Sequence, residues 1–263
     1  MSIPRSPGLL NSRGRQVSTS SDKMAVASEI PVITVDGPSG TGKGTLAGYL
    51  AHWLGWHFLD SGALYRVLAL AALRNSVHTE DEEALAALAR RLNVDFQYPG
   101  PGRDMTVVLD GAEVSQDIRT EHCGNLASRL AAMPKVRLAL LERQHCFRQA
   151  PGLVADGRDM GTVVFPDAIV KIFLTASPVE RAHRRYKQLK EKGFNVNLPQ
   201  LSVEITERDA RDSQRTVSPL RPADDAAVID TTNLALADVI RRVSMLVSQR
   251  LPGCPEQPGN MNY

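Results

Sequence analysis

Short apolar segments alternate along the chain with segments whose apolar residues recur at helical spacing. Five segments have the apolar character of buried strands: residues 30–35, 57–59, 153–155, 170–174 and 227–229. After the first of them, one helix face at the spacing i, i+4, i+7, i+8 is formed by Leu46, Leu50, Trp53 and Leu54. Buried strands separated by helices predict an α/β fold in which a parallel sheet is covered by helices on both faces.

Residues 94–114 follow a different pattern. Two β-rich runs, VDFQY and MTVVL, are parted by PGPG at residues 99–102, and Asp110-Gly111 precedes a third run, AEV. Proline and glycine at such positions favour tight turns between antiparallel strands. The sequence therefore predicts a small antiparallel β insert beside the main sheet.

Both ends of the chain lack a repeating apolar face. Residues 1–29 contain a Ser-Thr-Ser-Ser run at 18–21 with two prolines and two glycines, and residues 252–263 contain proline, glycine and asparagine. We therefore expect a disordered tail at 1–29 and a loose one at 252–263, around one domain at 30–251. Arginines among the first serines also resemble an organelle transit peptide, but a tail, or an early start codon upstream of Met24, fits better.

Composition narrows the class of protein. The 263 residues are 43% hydrophobic, and the longest apolar runs fall far short of the roughly 18 to 20 residues that a membrane-spanning helix needs. A net charge of +2 does not indicate a broad nucleic-acid-binding surface, so we expect neither a nucleic-acid nor a membrane partner. The three cysteines form no CxxC pair, which argues against zinc and favours a reduced, cytoplasmic protein.

A glycine-rich segment follows the first predicted strand and opens the first predicted helix. It consists of Gly37, Pro38, Ser39, Gly40, Thr41, Gly42, Lys43, Gly44 and Thr45. This GxxxxGK pattern predicts a nucleotide-binding loop, because its glycines let backbone N–H groups turn around a phosphate while Lys43 reaches the outer phosphates. The generic motif has a Mg²⁺-binding hydroxyl directly after the lysine, whereas here Thr45 follows one position late.

Three motifs together resemble one enzyme family. GKGT in the loop is similar to the nucleoside monophosphate kinases, in which the metal is held largely through water. DSGALYR at 60–66 and GRDMGT at 157–162 are similar to the bacterial cytidylate kinases, and the resemblance spans roughly residues 30–246. It implies a P-loop NTPase fold with a helical lid, ATP binding at 37–45, and phosphoryl transfer from ATP to CMP or dCMP with Mg²⁺ as cofactor.

The resemblance also implies roles for single residues. Those that would bind CMP are Ser61, Tyr65, Arg66, Ser128, Arg137, Arg158, Asp159, Arg208, Asp212 and Arg215. Among them Arg158 would hold the monophosphate and Asp159 would read the base, while Ser128 and Arg137 would face the cytosine edge. Asp156 would face the Mg²⁺ shell through water. An insert at about 94–133 would belong to the monophosphate side.

The predicted lid region, about 177–215, starts at a helix N-terminus. SPVE at residues 177–180 has the spacing of a capping box with proline at the first helical position. Arg181, Arg184 and Arg185 follow on one helical face, a pattern that is by itself also typical of a solvated helix. The resemblance makes this face part of the lid. The catalytic groups that it implies are Lys43, Arg158, Arg184 and Arg185.

Other functions fit less well. A P-loop GTPase would carry an NKxD-type guanine signature, which Thr231-Thr232-Asn233 does not supply. Within the kinases, UMP or AMP could replace CMP as the acceptor. We expect a monomer whose partners are the small molecules ATP and CMP or dCMP.

Overall fold

The fold is built on a five-stranded parallel sheet. The computed structural model describes residues 30–97, 105–191, 193, 195–251 and 253–255. The strands are β1 (Val32–Asp36), β2 (His57–Asp60), β3 (Val94–Gln97), β4 (Thr106–Leu109), β5 (Ala112–Glu113), β6 (Leu153–Gly157), β7 (Val170–Thr175) and β8 (Ala227–Asp230). The main sheet has the order β2-β6-β1-β7-β8, and its neighbouring strands are all parallel.

Helices cover both faces of this sheet. They are α1 (Lys43–Leu54), α2 (Ser61–Arg74), α3 (Glu82–Arg91), α4 (Glu121–Leu130), α5 (Pro134–Cys146), α6 (Pro178–Glu191), α7 (Leu198–Ser213) and α8 (Leu236–Arg250). Successive residues of a strand point to opposite faces. In β1, Ile33 is buried in an apolar cluster with residues of α1 and α8, whereas Val32 is buried in another cluster against which Leu141 of α5 packs.

The register of the central strands brings acidic residues to one edge of the sheet. Asp36 of β1 lies opposite Gly157 of β6, and Asp60 of β2 lies opposite Asp156 of β6. Loops that leave the carboxyl ends of parallel strands form the ligand crevice in open α/β sheets. The glycine-rich loop, the DSGALYR motif and the GRDMGT motif all leave the sheet at this edge.

Strands β3, β4 and β5 form the predicted antiparallel insert. Asp110 and Gly111 join β4 to β5 with φ values of 51° and 82°, as a two-residue hairpin turn with two left-handed residues requires. The PGPG turn predicted at 99–102 lies outside the described residues, as does the predicted tail at 1–29. Of the predicted tail at 252–263, only residues 253–255 are described.

The predicted strands are confirmed to within two residues at each end, and a helix begins at Pro178 as predicted. The capping box is only half formed. Ser177 accepts a hydrogen bond from the N–H of Glu180 at 3.2 Å, but its own N–H donates to the hydroxyl of Thr232 at 2.9 Å. The Glu180 carboxylate accepts from Arg184 instead. Among the described residues, no helix is long and apolar enough to cross a membrane.

Candidate active site

The glycine-rich loop between β1 and α1 has a conformation that requires glycine at its first position. Gly37 has a φ of 146°, and a Cβ atom there would lie 2.1 Å from the carbonyl oxygen of Leu174. The hydroxyl of Thr41 and the ammonium of Lys43 both donate to the carbonyl of Pro38, at 3.1 and 3.3 Å. Since α1 begins at Lys43, its first N–H groups have no partner within the helix and are available to a phosphate.

Lys43 faces a buried carboxylate beside this loop. Its Nζ atom lies 4.0 Å from Oδ1 of Asp156, and that oxygen has no hydrogen-bond partner. Burial raises the pKa of Asp156 to about 7. Burial, followed by the charge of Arg158, lowers the pKa of Lys43 to about 8. Both groups therefore have polar atoms that a phosphate, a cation or water would satisfy.

Asp156 fits a Mg²⁺ ion that accompanies a nucleotide. Mg²⁺ prefers oxygen ligands, keeps several waters, and commonly uses one or two carboxylates besides the substrate phosphates. The buried, unpaired Oδ1 of Asp156 is such an oxygen. Thr45 is exposed in the first turn of α1. The described residues contain no group of three His, Cys, Asp or Glu side chains that could hold a metal by themselves.

A pocket lies beside the carboxyl ends of β2 and β6. It is lined by Ser61, Gly62, Tyr65, Ala127, Ser128, Ala131, Arg137, Gly157, Arg158, Asp159, Arg208, Asp212 and Arg215. These residues come from β6, from α2, α4, α5 and α7, and from the segments that follow α4, β6 and α7. All the residues expected to bind CMP are in this lining except Arg66. The structure therefore brings together residues that lie up to 154 positions apart, from Ser61 to Arg215.

Asp212 of α7 joins three arginines at one part of this pocket. Its carboxylate accepts a hydrogen bond from Nε of Arg158 at 3.0 Å and another from Nη2 of Arg215. Nε of Arg208 lies 4.0 Å from the same carboxylate. Burial acts to raise the pKa of Asp212, but the arginines outweigh it and hold the pKa below its ordinary value. Ser128, expected at the base, donates its hydroxyl to Asp212 at 3.4 Å.

Two of these guanidinium groups have unused donors. The Nε atoms of Arg208 and Arg215 are buried without a hydrogen-bond partner. Burial, followed by the charges of Arg158 and Arg66, lowers the pKa of Arg208 to about 9. A buried unpaired donor costs about 1 to 3 kcal/mol, so an anion with several acceptor oxygens would be favoured here. Arginine binds phosphate through paired N–H groups, and the cluster therefore suits a monophosphate.

Arg137 and Asp159 form a buried ion pair in the pocket lining. Nη2 of Arg137 donates to Oδ2 of Asp159, and Nη1 donates to the carbonyl of Ala131 at 3.2 Å. Arg137 is 8% exposed and Asp159 is 4% exposed. The pair presents a carboxylate acceptor beside guanidinium donors. A ring with an amino donor beside acceptor atoms would match this pattern.

Ser61 and Tyr65 lie in the first turns of α2. The hydroxyl of Ser61 donates to Oε1 of Gln144, a buried residue of α5, at 2.8 Å. Burial raises the pKa of Tyr65 to about 12, so its phenol stays neutral. The sequence did not identify Gln144, because no local pattern distinguishes it from the other polar residues of its helix.

Arg66 contacts the segment between β5 and α4 instead of the pocket. Its Nη1 atom donates to the carbonyl oxygens of Ile118 at 2.8 Å and Thr120 at 3.4 Å. Gly124 leaves room for the guanidinium, since a Cβ atom there would lie 2.8 Å from Nη2. In this structure Arg66 therefore links α2 to α4, and its role toward CMP stays a prediction.

Arg184 and Arg185, which belong to the predicted lid, contact protein groups outside the pocket lining. Nη2 of Arg184 donates to the carbonyl of Thr231 at 2.6 Å, and the hydroxyl of Thr231 donates to the carbonyl of Thr41 in the glycine-rich loop at 3.3 Å. Nη2 of Arg185 donates to the carboxylate of Glu121 at 2.6 Å. Arg184 is thus linked to the loop through one residue, whereas Arg185 is bound to α4.

Asp36 is a site residue that the motifs did not identify. It ends β1, is 5% exposed, and accepts hydrogen bonds from the N–H groups of Met160 at 2.9 Å and Gly161 at 2.8 Å. Burial raises the pKa of Asp36 to about 7, although the two N–H groups act in the opposite direction. The signal in the sequence is a charged residue at the end of an otherwise apolar strand.

Comparisons with known proteins agree with this architecture. The family model described as cytidylate kinase matches residues 33–249. The cytidylate kinase of Shewanella denitrificans is 57% identical over 213 residues, which are 81% of this chain and 94% of that protein. The one of Nitrosococcus oceani is 60% identical over 218 residues, or 83% and 96% of the two chains. The one of Serratia proteamaculans is 59% identical over 227 residues, or 86% and 98%.

These matches cover most of this chain and nearly the whole of each relative. They confirm the resemblance predicted from the glycine-rich loop and from the DSGALYR and GRDMGT motifs. The chain belongs to the cytidylate kinase family.

Proposed function

We propose that this protein transfers the γ-phosphoryl group of ATP to CMP or dCMP, which yields ADP and CDP or dCDP. One observation carries the proposal: a single pocket contains the Arg137–Asp159 pair and the arginines around Asp212, and the charge of Arg158 in that cluster acts on Lys43 of the glycine-rich loop. The pair suits a cytosine edge, and the cluster suits a monophosphate. A pyrimidine nucleoside monophosphate carries both groups.

On the donor side, the loop N–H groups and Lys43 would bind the outer phosphates of ATP. Burial lowers the pKa of Lys43 to about 8 in the unliganded protein. A polyphosphate beside the ammonium favours its charged form and raises this pKa again. Mg²⁺ bound with ATP would neutralise phosphate charge, and Asp156 would hold it through water.

On the acceptor side, no general base is needed. A phosphate monoester has a second pKa of about 6, so its oxygens are mostly ionised near neutral pH. The described residues of the pocket lining accordingly include four arginines but no histidine. Rate acceleration then comes from alignment of the two phosphates and from stabilisation of charge by Lys43, Arg158 and the lid arginines.

Arg184 and Arg185 would join the site when the lid closes. Their side chains are 30% and 21% exposed. Exposed or partly exposed ion pairs contribute about 0 to 1 kcal/mol, so exchanging Glu121 for a phosphate oxygen would cost Arg185 little. Closure would also exclude water from the site, which protects ATP from hydrolysis.

A coupled assay of ATP consumption tests the proposal, with AMP, GMP, CMP, dCMP and UMP each offered as acceptor. We expect the highest kcat/KM with CMP and dCMP, and little ATP consumption without an acceptor. A higher kcat/KM with AMP or UMP than with CMP would overturn the proposal in favour of another monophosphate kinase activity. The Lys43→Ala variant, prepared in the same way, controls for contaminating kinases.

A further inference from the structure

A π-helical turn follows the residue that is expected to read the base. The turn spans Met160–Val164, and Asp159 occupies the position directly before it. The N–H of Val163 donates to the carbonyl of Asp159 at 2.9 Å, and the N–H of Phe165 donates to that of Met160 at 2.7 Å. As at any helix start, the first N–H groups of this turn have no partner within it.

An aspartate at this position commonly caps its own helix. Its carboxylate then accepts a hydrogen bond from the N–H of the second or third helical residue, and aspartate is among the residues most favoured there. The carboxylate of Asp159 makes no such bond. It pairs with Arg137 in the pocket lining instead. Something else must therefore satisfy the start of the turn.

Asp36 supplies this cap from another strand. Its Oδ1 accepts from the N–H of Met160 at 2.9 Å, and its Oδ2 accepts from the N–H of Gly161 at 2.8 Å. Both oxygens act as acceptors, which is the pattern of an ionised carboxylate. Gly157 of β6 lets Met160 pack closely against this strand, because a Cβ atom at Gly157 would lie 2.7 Å from Cγ of Met160. The turn is thus held between β1 and β6.

We propose that Asp36 is a positioning residue for recognition of the acceptor base. Because Asp36 caps the turn, the turn does not compete for the Asp159 carboxylate, which stays with Arg137 in the pocket. The inference rests on the proposed function, since it takes Asp159 to face the base. Asp36 also directly precedes the glycine-rich loop, so an effect on ATP binding is the alternative that the test must separate.

Asp36→Asn and Asp36→Ala test the inference, assayed with CMP and UMP at saturating ATP and about pH 8. Asparagine keeps one acceptor oxygen, and alanine keeps none. We expect kcat/KM for CMP to fall roughly 10-fold in the first variant and roughly 100-fold in the second, because small misplacements of a substrate-orienting group have effects of this order. The value for UMP should change less, and KM for ATP should stay within about 2-fold.

The same Asp36 substitutions, made in Asp159→Asn protein, test whether their effect passes through Asp159. In Asp159→Asn protein, the Asp36 substitutions should no longer change the ratio of kcat/KM for CMP to that for UMP, because effects that pass through one residue are not additive. Ile33→Ala is the matched control for lost stability. Ile33 is buried on the same strand, in a different apolar cluster from Met160. Ile33→Ala should lower Tm and leave the CMP to UMP ratio of kcat/KM unchanged.

Two results would overturn the inference. One is a CMP to UMP ratio of kcat/KM that is unchanged in folded Asp36→Asn protein. Asparagine is nearly isosteric with aspartate, so this variant decides the question if Asp36→Ala does not fold. The other is a rise in KM for ATP as large as the loss for CMP. If the wild-type protein itself does not prefer CMP to UMP, the proposed function fails instead, so the two failures are distinguishable.

Discussion

Replacing Asp156 by asparagine should stabilise the unliganded protein above neutral pH. Asp156 is 5% exposed, its Oδ1 has no hydrogen-bond partner, and Nζ of Lys43 lies 4.0 Å from that oxygen. Burial raises its pKa from the ordinary value of 3.8 to about 7. The folded protein therefore disfavours the charged form of this carboxyl relative to the unfolded chain.

The sign and size of the effect follow from this shift. Between pH 3.8 and about 7, the folded protein binds a proton at Asp156 that the unfolded chain has already released. The contribution of Asp156 to the free energy of unfolding is therefore lost as the pH rises through this window. One pKa unit corresponds to about 1.4 kcal/mol, so the full loss is about 4 kcal/mol. The amide of the Asp156→Asn variant does not ionise, so that variant does not lose this free energy of unfolding.

Chemical denaturation at about pH 5 and about pH 8 measures the difference. Between these two conditions, wild-type protein should lose about 3 kcal/mol more of its free energy of unfolding than Asp156→Asn loses. Asp110→Asn is the control, because it makes the same chemical change in the exposed turn between β4 and β5. Parallel pH profiles for wild type and Asp156→Asn would refute the reasoning, since they would show that this buried carboxylate carries no such cost.

Lys43→Ala should lower kcat by a factor of order 10³, because the ammonium stabilises charge on the transferring phosphoryl group. It should not lower Tm, because burial already disfavours the charged form of Lys43. A normal kcat would exclude that role. In wild-type protein, kcat/KM for ATP should fall as the pH rises above about 8, where free Lys43 loses its proton, whereas kcat should persist to higher pH. A profile of kcat/KM that stays flat well above pH 8 would contradict this. Asp159→Asn should narrow the CMP to UMP ratio of kcat/KM roughly 5- to 150-fold at unchanged KM for ATP, since an unpaired buried polar group costs about 1 to 3 kcal/mol. An unchanged ratio would mean that Asp159 does not read the base.

The sheet could be predicted from the sequence because its central strands are buried on both faces. β1 and β6 are buried at every position, and such strands carry apolar runs that exposed elements lack. The edge strands β2 and β8 include exposed or partly exposed positions. Each of them extends by one acidic residue, Asp60 or Asp230, beyond the apolar run that predicted it.

Contacts between distant elements could not be predicted in this way. SPVE predicted a reciprocal capping box, but the N–H of Ser177 donates to Thr232, which follows β8. Gln144 of α5 accepts a hydrogen bond from Ser61 of α2, 83 positions earlier in the chain, and no motif contains it. The residues that line the pocket could be predicted from the sequence, although they come from distant elements. Most of them stand in or near motifs that resemble one family, and the fold then brings those motifs together.

The two ends of the proposed site differ in charge, and we expect this difference to give them different partners. Around Asp212, three guanidinium groups face one carboxylate, which leaves two positive charges in excess. A monophosphate dianion would balance that excess, whereas at the proposed donor end Lys43 faces the single carboxyl group of Asp156 at 4.0 Å.

This imbalance gives a physical reason for transfer to an acceptor instead of water. Burial lowers the pKa of Arg208, and without an anion repulsion from the charge of Arg158 lowers it in the same direction. A water molecule at the acceptor end cannot relieve this repulsion, but a bound monophosphate can. We therefore expect the packing of α7 against the loop after β6 to be most stable when the acceptor is bound. Closure of the predicted lid region, which would include α7, would then depend on the substrate that is to receive the phosphoryl group.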